Sequence, residues 1–178
     1  LSGHPEGSDE TEELYAYDGS AFTQVSDDSD YNPMDPGDLA AAGDNLFFRF
    51  GNPNYDLFVS DGTTAGTAVL STVGSYPESL SAFGELLLFS GNSGSDNELW
   101  KSDGSDSGTV LVKDINPGSD FSSYPDYFRM VNGVAIFSAY TESEGTELWK
   151  SDGTEAGTEI IIDLNSGADD GVYMNEPG

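Results

Sequence analysis

The chain has 178 residues, with 33 acidic side chains against 5 basic ones, a formal net charge of −28 and no cysteine. That balance argues against nucleic acid and anionic membrane surfaces as partners, because phosphates are met by Lys and Arg. Lack of cysteine removes disulfides, thiol catalysis and the usual structural zinc site.

At 36% hydrophobic and 12% aromatic the chain still has material for a core. No run approaches the roughly 20 apolar residues of a membrane helix, so membrane insertion is not expected. Leu1-Ser2-Gly3-His4 aligns with Phe89-Ser90-Gly91-Asn92 and reads as the end of a strand, with no charged n-region or apolar h-region. Next stands Glu13-Leu14-Tyr15-Ala16-Tyr17-Asp18-Gly19, the first copy of a phrase that returns three times. The later copies are Asp56-Leu57-Phe58-Val59-Ser60-Asp61-Gly62, Glu98-Leu99-Trp100-Lys101-Ser102-Asp103-Gly104 and Glu147-Leu148-Trp149-Lys150-Ser151-Asp152-Gly153. Their leucines step by 43, 42 and 49 residues, a period that marks a propeller or similar array.

Ahead of the last three copies, residues 36–48, 77–89 and 125–137 align without a gap. Each block predicts two short strands around a two-residue turn: Gly43-Asp44, Gly84-Glu85 and Asn132-Gly133. The second strands are nearly continuous apolar runs, such as Leu86-Leu87-Leu88-Phe89, which suits strands covered on both faces. After each phrase a Gly-Thr pair leads into a fourth strand rich in β-branched residues, as at Val110-Leu111-Val112 and Ile160-Ile161-Ile162. Four antiparallel strands, A to D, make one propeller blade. No segment sustains a 3.6-residue apolar period, so helix is not expected.

The predicted fold class is therefore all-β, a β-propeller-like array of four-stranded antiparallel blades forming a segment of a larger propeller. Whole blades are expected at 36–72, 77–114 and 125–163. A partial blade at 1–26 (the end of B, then C and D) precedes them, and 164–178 is read as a loop leading to a further blade.

The stretch Glu147-Leu148-Trp149-Lys150-Ser151-Asp152-Gly153-Thr154-Glu155-Ala156-Gly157-Thr158 resembles the ELWxxDGT repeat of bacterial secreted and surface proteins. Leu111-Val112-Lys113-Asp114-Ile115-Asn116-Pro117-Gly118 is similar to the segment that follows it in that family. The likeness runs over essentially the whole chain. It departs at Tyr15 and Phe58, which replace Trp, and at Ser71-Thr72, where Lys-Asp is usual. It implies an extracellular or cell-surface propeller-like or adhesion module of bacteria, and it brings no catalytic residues.

Two recurring features read as scaffold. The aspartate of each Ser-Asp-Gly is expected to cap its own turn while Gly takes the left-handed backbone. Trp100, Trp149, Phe58 and Tyr15 share one position and are expected to pack blade on blade, rather than to stack on sugars.

The D-to-A loops are the candidate sites. Asp114, Asn116 and Asp120, and again Asp163, Asn165 and Asp169, alternate oxygen side chains around a glycine. That is how calcium loops gather hard ligands. The other reading is an Asn-Pro-Gly type turn in a chain where carboxylates abound. Antiparallel pairing of A with B puts the B-to-C loops on the same face, adding Glu6, Asp9, Glu10, Glu12, Glu142 and Glu144, and Asp27, Asp28 and Asp30 lie in the first D-to-A loop. Their mutual repulsion is a cost that bound cations or high salt would ease.

Catalysis is poorly served: the one histidine, His4, sits in a polar Gly-Pro context, and no Ser/His/Asp or Cys/His set can be assembled. The expectation is a non-enzymatic extracellular interaction or structural module, stabilised by calcium, binding a protein or glycan at a cell surface. An alternative is a scaffold subunit of a larger extracellular assembly or filament, completed by strand addition. A third is an accessory propeller of a secreted hydrolase.

Overall fold

Three turns start the architecture. Gly43 (φ +58°), Gly84 (φ +61°) and the pair Asn132 and Gly133 (φ +51° and +81°) take left-handed backbone, which matches the twist of the strands they join. The computed structural model describes residues 2–3, 13–17, 20–25, 37–50, 55–74, 76–92, 94, 96–118, 121–168 and 170–172. Among them every regular element is a β-strand.

The first sheet has three strands, β1 (Ser2–Gly3), β2 (Glu13–Tyr17) and β3 (Phe22–Gln24). The second runs β4 (Gly37–Ala42), β5 (Asn45–Phe50), β6 (Asp56–Ser60) and β7 (Ala68–Val69). The third runs β8 (Glu78–Phe83), β9 (Leu86–Asn92), β10 (Asn97–Ser102) and β11 (Val110–Lys113). The fourth runs β12 (Asp126–Val131), β13 (Val134–Thr141), β14 (Gly145–Ser151) and β15 (Glu159–Ile162). Neighbours in each sheet are antiparallel and follow chain order, so each four-stranded sheet is a meander from A to D.

Strand period explains how the sheets stack. Successive side chains point to opposite faces, so the Leu and the aromatic of each phrase serve different interfaces. Leu57 joins Trp100, Phe47, Leu87 and Phe89 between the second and third sheets. Leu99 joins Trp149, Leu88, Phe128 and Phe137 between the third and fourth. Phe58 packs backwards on Leu14, Val25, Phe48 and Phe50, with its ring stacked 5.5 Å from that of Phe48. Phe58, Trp100 and Trp149 thus reach back to the preceding sheet, and Leu14, Leu57 and Leu99 forward to the next, as packing between blades requires. The inner strands β4, β8 and β12 contact one another in turn, while the outer strands leave Val110, Leu111, Ile161 and Ile162 exposed.

Every inner strand also carries a bulge that the residue pattern did not announce. Pairing slips between Gly37 and Ala40, between Glu78 and Ser81, and between Asp126 and Arg129. The inserted residues, Asp38, Ser79 and Tyr127, have φ of +43°, +56° and +56°. A bulge re-aims side chains at a strand end, here at the end where the D-to-A loops arrive.

Candidate functional site

The Ser-Asp-Gly motifs behave as scaffold. In three copies the Asp Oδ1 accepts both the N–H and the hydroxyl of the residue two places on: Thr63 for Asp61, Ser105 for Asp103 and Thr154 for Asp152. These bonds hold all three carboxyls below their ordinary range. The following Gly62, Gly104 and Gly153 have φ near +90°, which a Cβ would strain. Asp18 lies outside the described residues.

The glutamate of the phrase has a separate task. Glu98 is buried, yet its carboxylate is bonded three times. Oε2 accepts the Ile115 N–H at 2.7 Å and the Ser123 hydroxyl at 2.6 Å, and Oε1 accepts the Ser123 N–H at 3.0 Å. Burial pushes the carboxyl above its ordinary value, against these hydrogen bonds that pull it down. Both ends of the D-to-A loop are therefore tied to one point. Further ties lock the loop to both blades: Ser122 Oγ accepts the Asn97 N–H, Asn116 Nδ2 donates to the Ser122 carbonyl, and the Tyr140 N–H donates to the Ser123 carbonyl.

Held by those ties, the next residue is strained. Tyr124 has φ +46° and Tyr76, its counterpart one blade earlier, has φ +65°; both precede a proline. A bulky side chain at positive φ is a true outlier, and the proline further restricts the backbone before it. Strain of about 1–3 kcal/mol persists only where the surroundings over-determine it. Both residues are exposed, at 59% and 44%.

Tyr124 borders a groove of about 420 Å³ with Tyr127, Tyr140, Asp126 and Ser138. Beside it, toward the inner strands, a cleft of about 500 Å³ is lined by Asp38, Arg49, Glu78, Ser79 and Asp126. Within this cleft Arg49 Nη2 pairs with Asp38 Oδ2 at 3.0 Å, and the Arg49 Cζ lies 5.2 Å from the ring centre of Tyr55. Tyr55 meets Tyr76 edge to face at 6.3 Å.

Four of the six sequence-predicted ligands lie among the described residues. Asp114 is exposed. Asn116 is buried, with Nδ2 given to Ser122 and Oδ1 accepting the Glu142 N–H at 3.1 Å. Asp163 accepts the N–H of Asn165, whose side chain is exposed. Asp120 and Asp169 lie outside the described residues, as do His4, Glu6, Asp9, Glu10, Glu12, Asp27, Asp28 and Asp30. Among the described residues no three His, Cys, Asp or Glu side chains are gathered as a metal would need.

Below the loop of Asp163 and Asn165 stands Glu147, fully buried. Its Oε2 accepts the Leu164 N–H at 3.2 Å and its Oε1 has no hydrogen-bond partner. Gly171 occupies the place that Ser123 has in the earlier blade: the N–H of each donates to the carbonyl before the glutamate, Thr146 and Asn97 respectively, and the residues before them, Asp170 and Ser122, accept the N–H groups of Thr146 and Asn97. A glycine has no hydroxyl to offer, which accounts for the bare oxygen.

Sequence reasoning missed the anchoring glutamates and the presented tyrosines. Signals for both were there, in the Glu that opens the phrase and in the repeated Tyr76-Pro77 and Tyr124-Pro125.

Comparison with protein-family models finds no match. None is found among curated proteins either. Among solved structures, a protein assigned as TolB from Agrobacterium tumefaciens is similar over 89% of this chain, with TM-score 0.51 and 11% identity. A puromycin hydrolase variant crystallised with PGG is similar over 84%, with TM-score 0.52 and 14% identity. This chain spans 59% of the first and 24% of the second. At such identities the likeness speaks for the fold alone, and that fold is of the β-propeller type.

Proposed function

We propose that the chain is a non-enzymatic interaction module, acting outside a bacterial cell or at its surface, whose loop face binds a partner. The observation that carries this reading is the loop built around Glu98, which holds Tyr124 in a strained, exposed conformation beside a groove. Strain kept at an exposed aromatic is costly for a scaffold and useful for recognition. Recurring polar groups elsewhere are committed to the frame: Ser60, Ser102 and Ser151 each share a hydrogen bond with a threonine seven residues on. Flow cytometry of fluorescently labelled protein on intact bacterial cells tests the reading. Saturable binding, displaced by unlabelled protein, is expected; purely linear uptake across cell types would defeat it.

Calcium belongs to the same proposal, on the loop of Asp163 and Asn165 in preference to that of Asp114 and Asn116. Both polar atoms of Asn116 are already engaged. The other loop has Asn165 pointing outward, a half-buried Asp163 and the bare Glu147 Oε1 beneath it. Hard oxygen donors of this kind suit calcium. Thermal melts in millimolar calcium against EDTA are expected to show stabilisation that Glu147→Gln removes. Coincident melts of the native protein would end the calcium reading.

A further inference from the structure

The loop face takes a chain-internal cation at one blade and leaves the equivalent place without one at another. On β5, Arg49 stands directly across from Gly37, at the start of the bulged inner strand. Its guanidinium is held by the Asp38 carboxylate and by the face of Tyr55. On β13 the equivalent residue is Ser138, standing across from Asp126. There serine stands in place of the arginine and Asp126 in place of Gly37, with Tyr124, Tyr127 and Tyr140 around them. What results is the groove lined by Tyr124, Tyr127, Tyr140, Asp126 and Ser138.

Asp126 is well placed for a cation. Its Oδ1 accepts the Ser79 hydroxyl at 2.6 Å and the Tyr127 N–H at 2.7 Å, which fixes the carboxylate plane. Among the described residues, the ion pairs within 4 Å are Arg49–Asp38 and Lys150–Glu159, and Asp126 is in neither. Exposed tyrosine faces attract ammonium and guanidinium groups through the ring quadrupole. A formal charge of −28 raises the local concentration of cationic partners and repels acidic ones.

We propose that this groove receives a guanidinium or ammonium side chain from a partner protein, in the manner of Arg49 two blades earlier. The proposal rests on the reading of the chain as an interaction module and names the chemistry its loop face selects. Arginine or lysine would lie against Tyr124 and Tyr140, with its charge directed to Asp126. A neutral sugar could use the same rings but would gain nothing from the carboxylate or from the net charge.

The test titrates the protein with Nα-acetyl-arginine methylamide, with the lysine analogue and with the uncharged citrulline analogue, followed by NMR. Arginine or lysine is expected to bind at least about tenfold more tightly than citrulline, in proportion to a cation–π contact plus an ion pair. Tyr124→Gly is expected to weaken that binding about tenfold while leaving the melting temperature unchanged or higher, since glycine accepts φ +46° without strain. A ring needed only for packing would instead lower the melting temperature when removed. Ser138→Arg supplies the cation internally and is expected to abolish binding. Equal binding of citrulline, or unchanged affinity in Tyr124→Gly, overturns the proposal. So does binding of a neutral oligosaccharide, lost in Tyr124→Gly, without arginine binding. If these titrations fail while saturable cell binding persists, the interaction reading stands and only the cationic partner falls.

Discussion

Ser123 is bonded twice to Glu98 across 25 residues of chain, by its N–H to Oε1 at 3.0 Å and by its hydroxyl to Oε2 at 2.6 Å. With the Ile115 N–H on the same carboxylate, one buried side chain closes the loop between two blades. Truncation would strand these donors in a dry place, at about 1–3 kcal/mol for each buried group left unpaired. Glu98→Ala is therefore expected to lose about 2–4 kcal/mol in urea unfolding, on that scale. Glu98→Gln, which keeps an acceptor for Ile115 and the serine hydroxyl, is expected to lose less than half as much.

The same residue sets one arm of the pH dependence. Its folded carboxyl titrates above the ordinary value of 4.5, chiefly because burial penalises the charge. The folded protein then holds this proton more tightly than the unfolded chain does. Its contribution is fully present below pH 4.5 and lost as pH rises through the folded pKa. Asp61, Asp103 and Asp152 act in the opposite sense: lowered from 3.8, they stabilise above that value and lose their effect as pH falls through their folded pKa. Denaturant midpoints measured from pH 3 upward should thus show the native protein losing stability relative to Glu98→Gln above about pH 4.5, by linkage. Parallel curves would contradict this.

Gly171→Ser is expected to stabilise the protein, with the Glu147 carboxylate turning to make room for the added Cβ and taking the new hydroxyl. Ser123 in the equivalent place satisfies its glutamate, whereas Glu147 Oε1 lacks a partner. A new hydroxyl bond to a charged, buried acceptor is worth about 1–2 kcal/mol. A rise in melting temperature checks it, provided that Glu147→Gln cancels the gain.

Trp100 and Trp149 are each under a tenth exposed, and each packs on the preceding blade. Either changed to Ala should cost about 3–5 kcal/mol. Leu111→Ala, on an outer strand and 45% exposed, should stay within about 0.5 kcal/mol. Comparable losses at both positions would mean that the outer strand is covered in solution.

Turn chemistry and strand period are local properties, and they were legible in the residues. Gly43, Gly84 and Asn132-Gly133 can only turn, Leu87-Leu88-Phe89 can only be covered on both faces, and Asp152-Gly153 carries its own cap. All-β blades follow from those, as does the role of Trp149, because alternation sends it to one face and Leu148 to the other. The loops were not legible in the same way. Asn116 sits in a ligand-like pattern, yet both ends of its amide are taken, one by Ser122 within the loop and the other by Glu142, 26 residues on in the next blade. Tyr124 has only the proline after it to mark it in the sequence. It becomes an exposed, left-handed tyrosine because Glu98, Asn97 and Tyr140 pin its neighbours from two blades. Patterning fixes what depends on neighbours along the chain. Where a buried carboxylate finds its donors, and which ring is thereby held out to solvent, depends on contacts that exist only once the sheets are stacked.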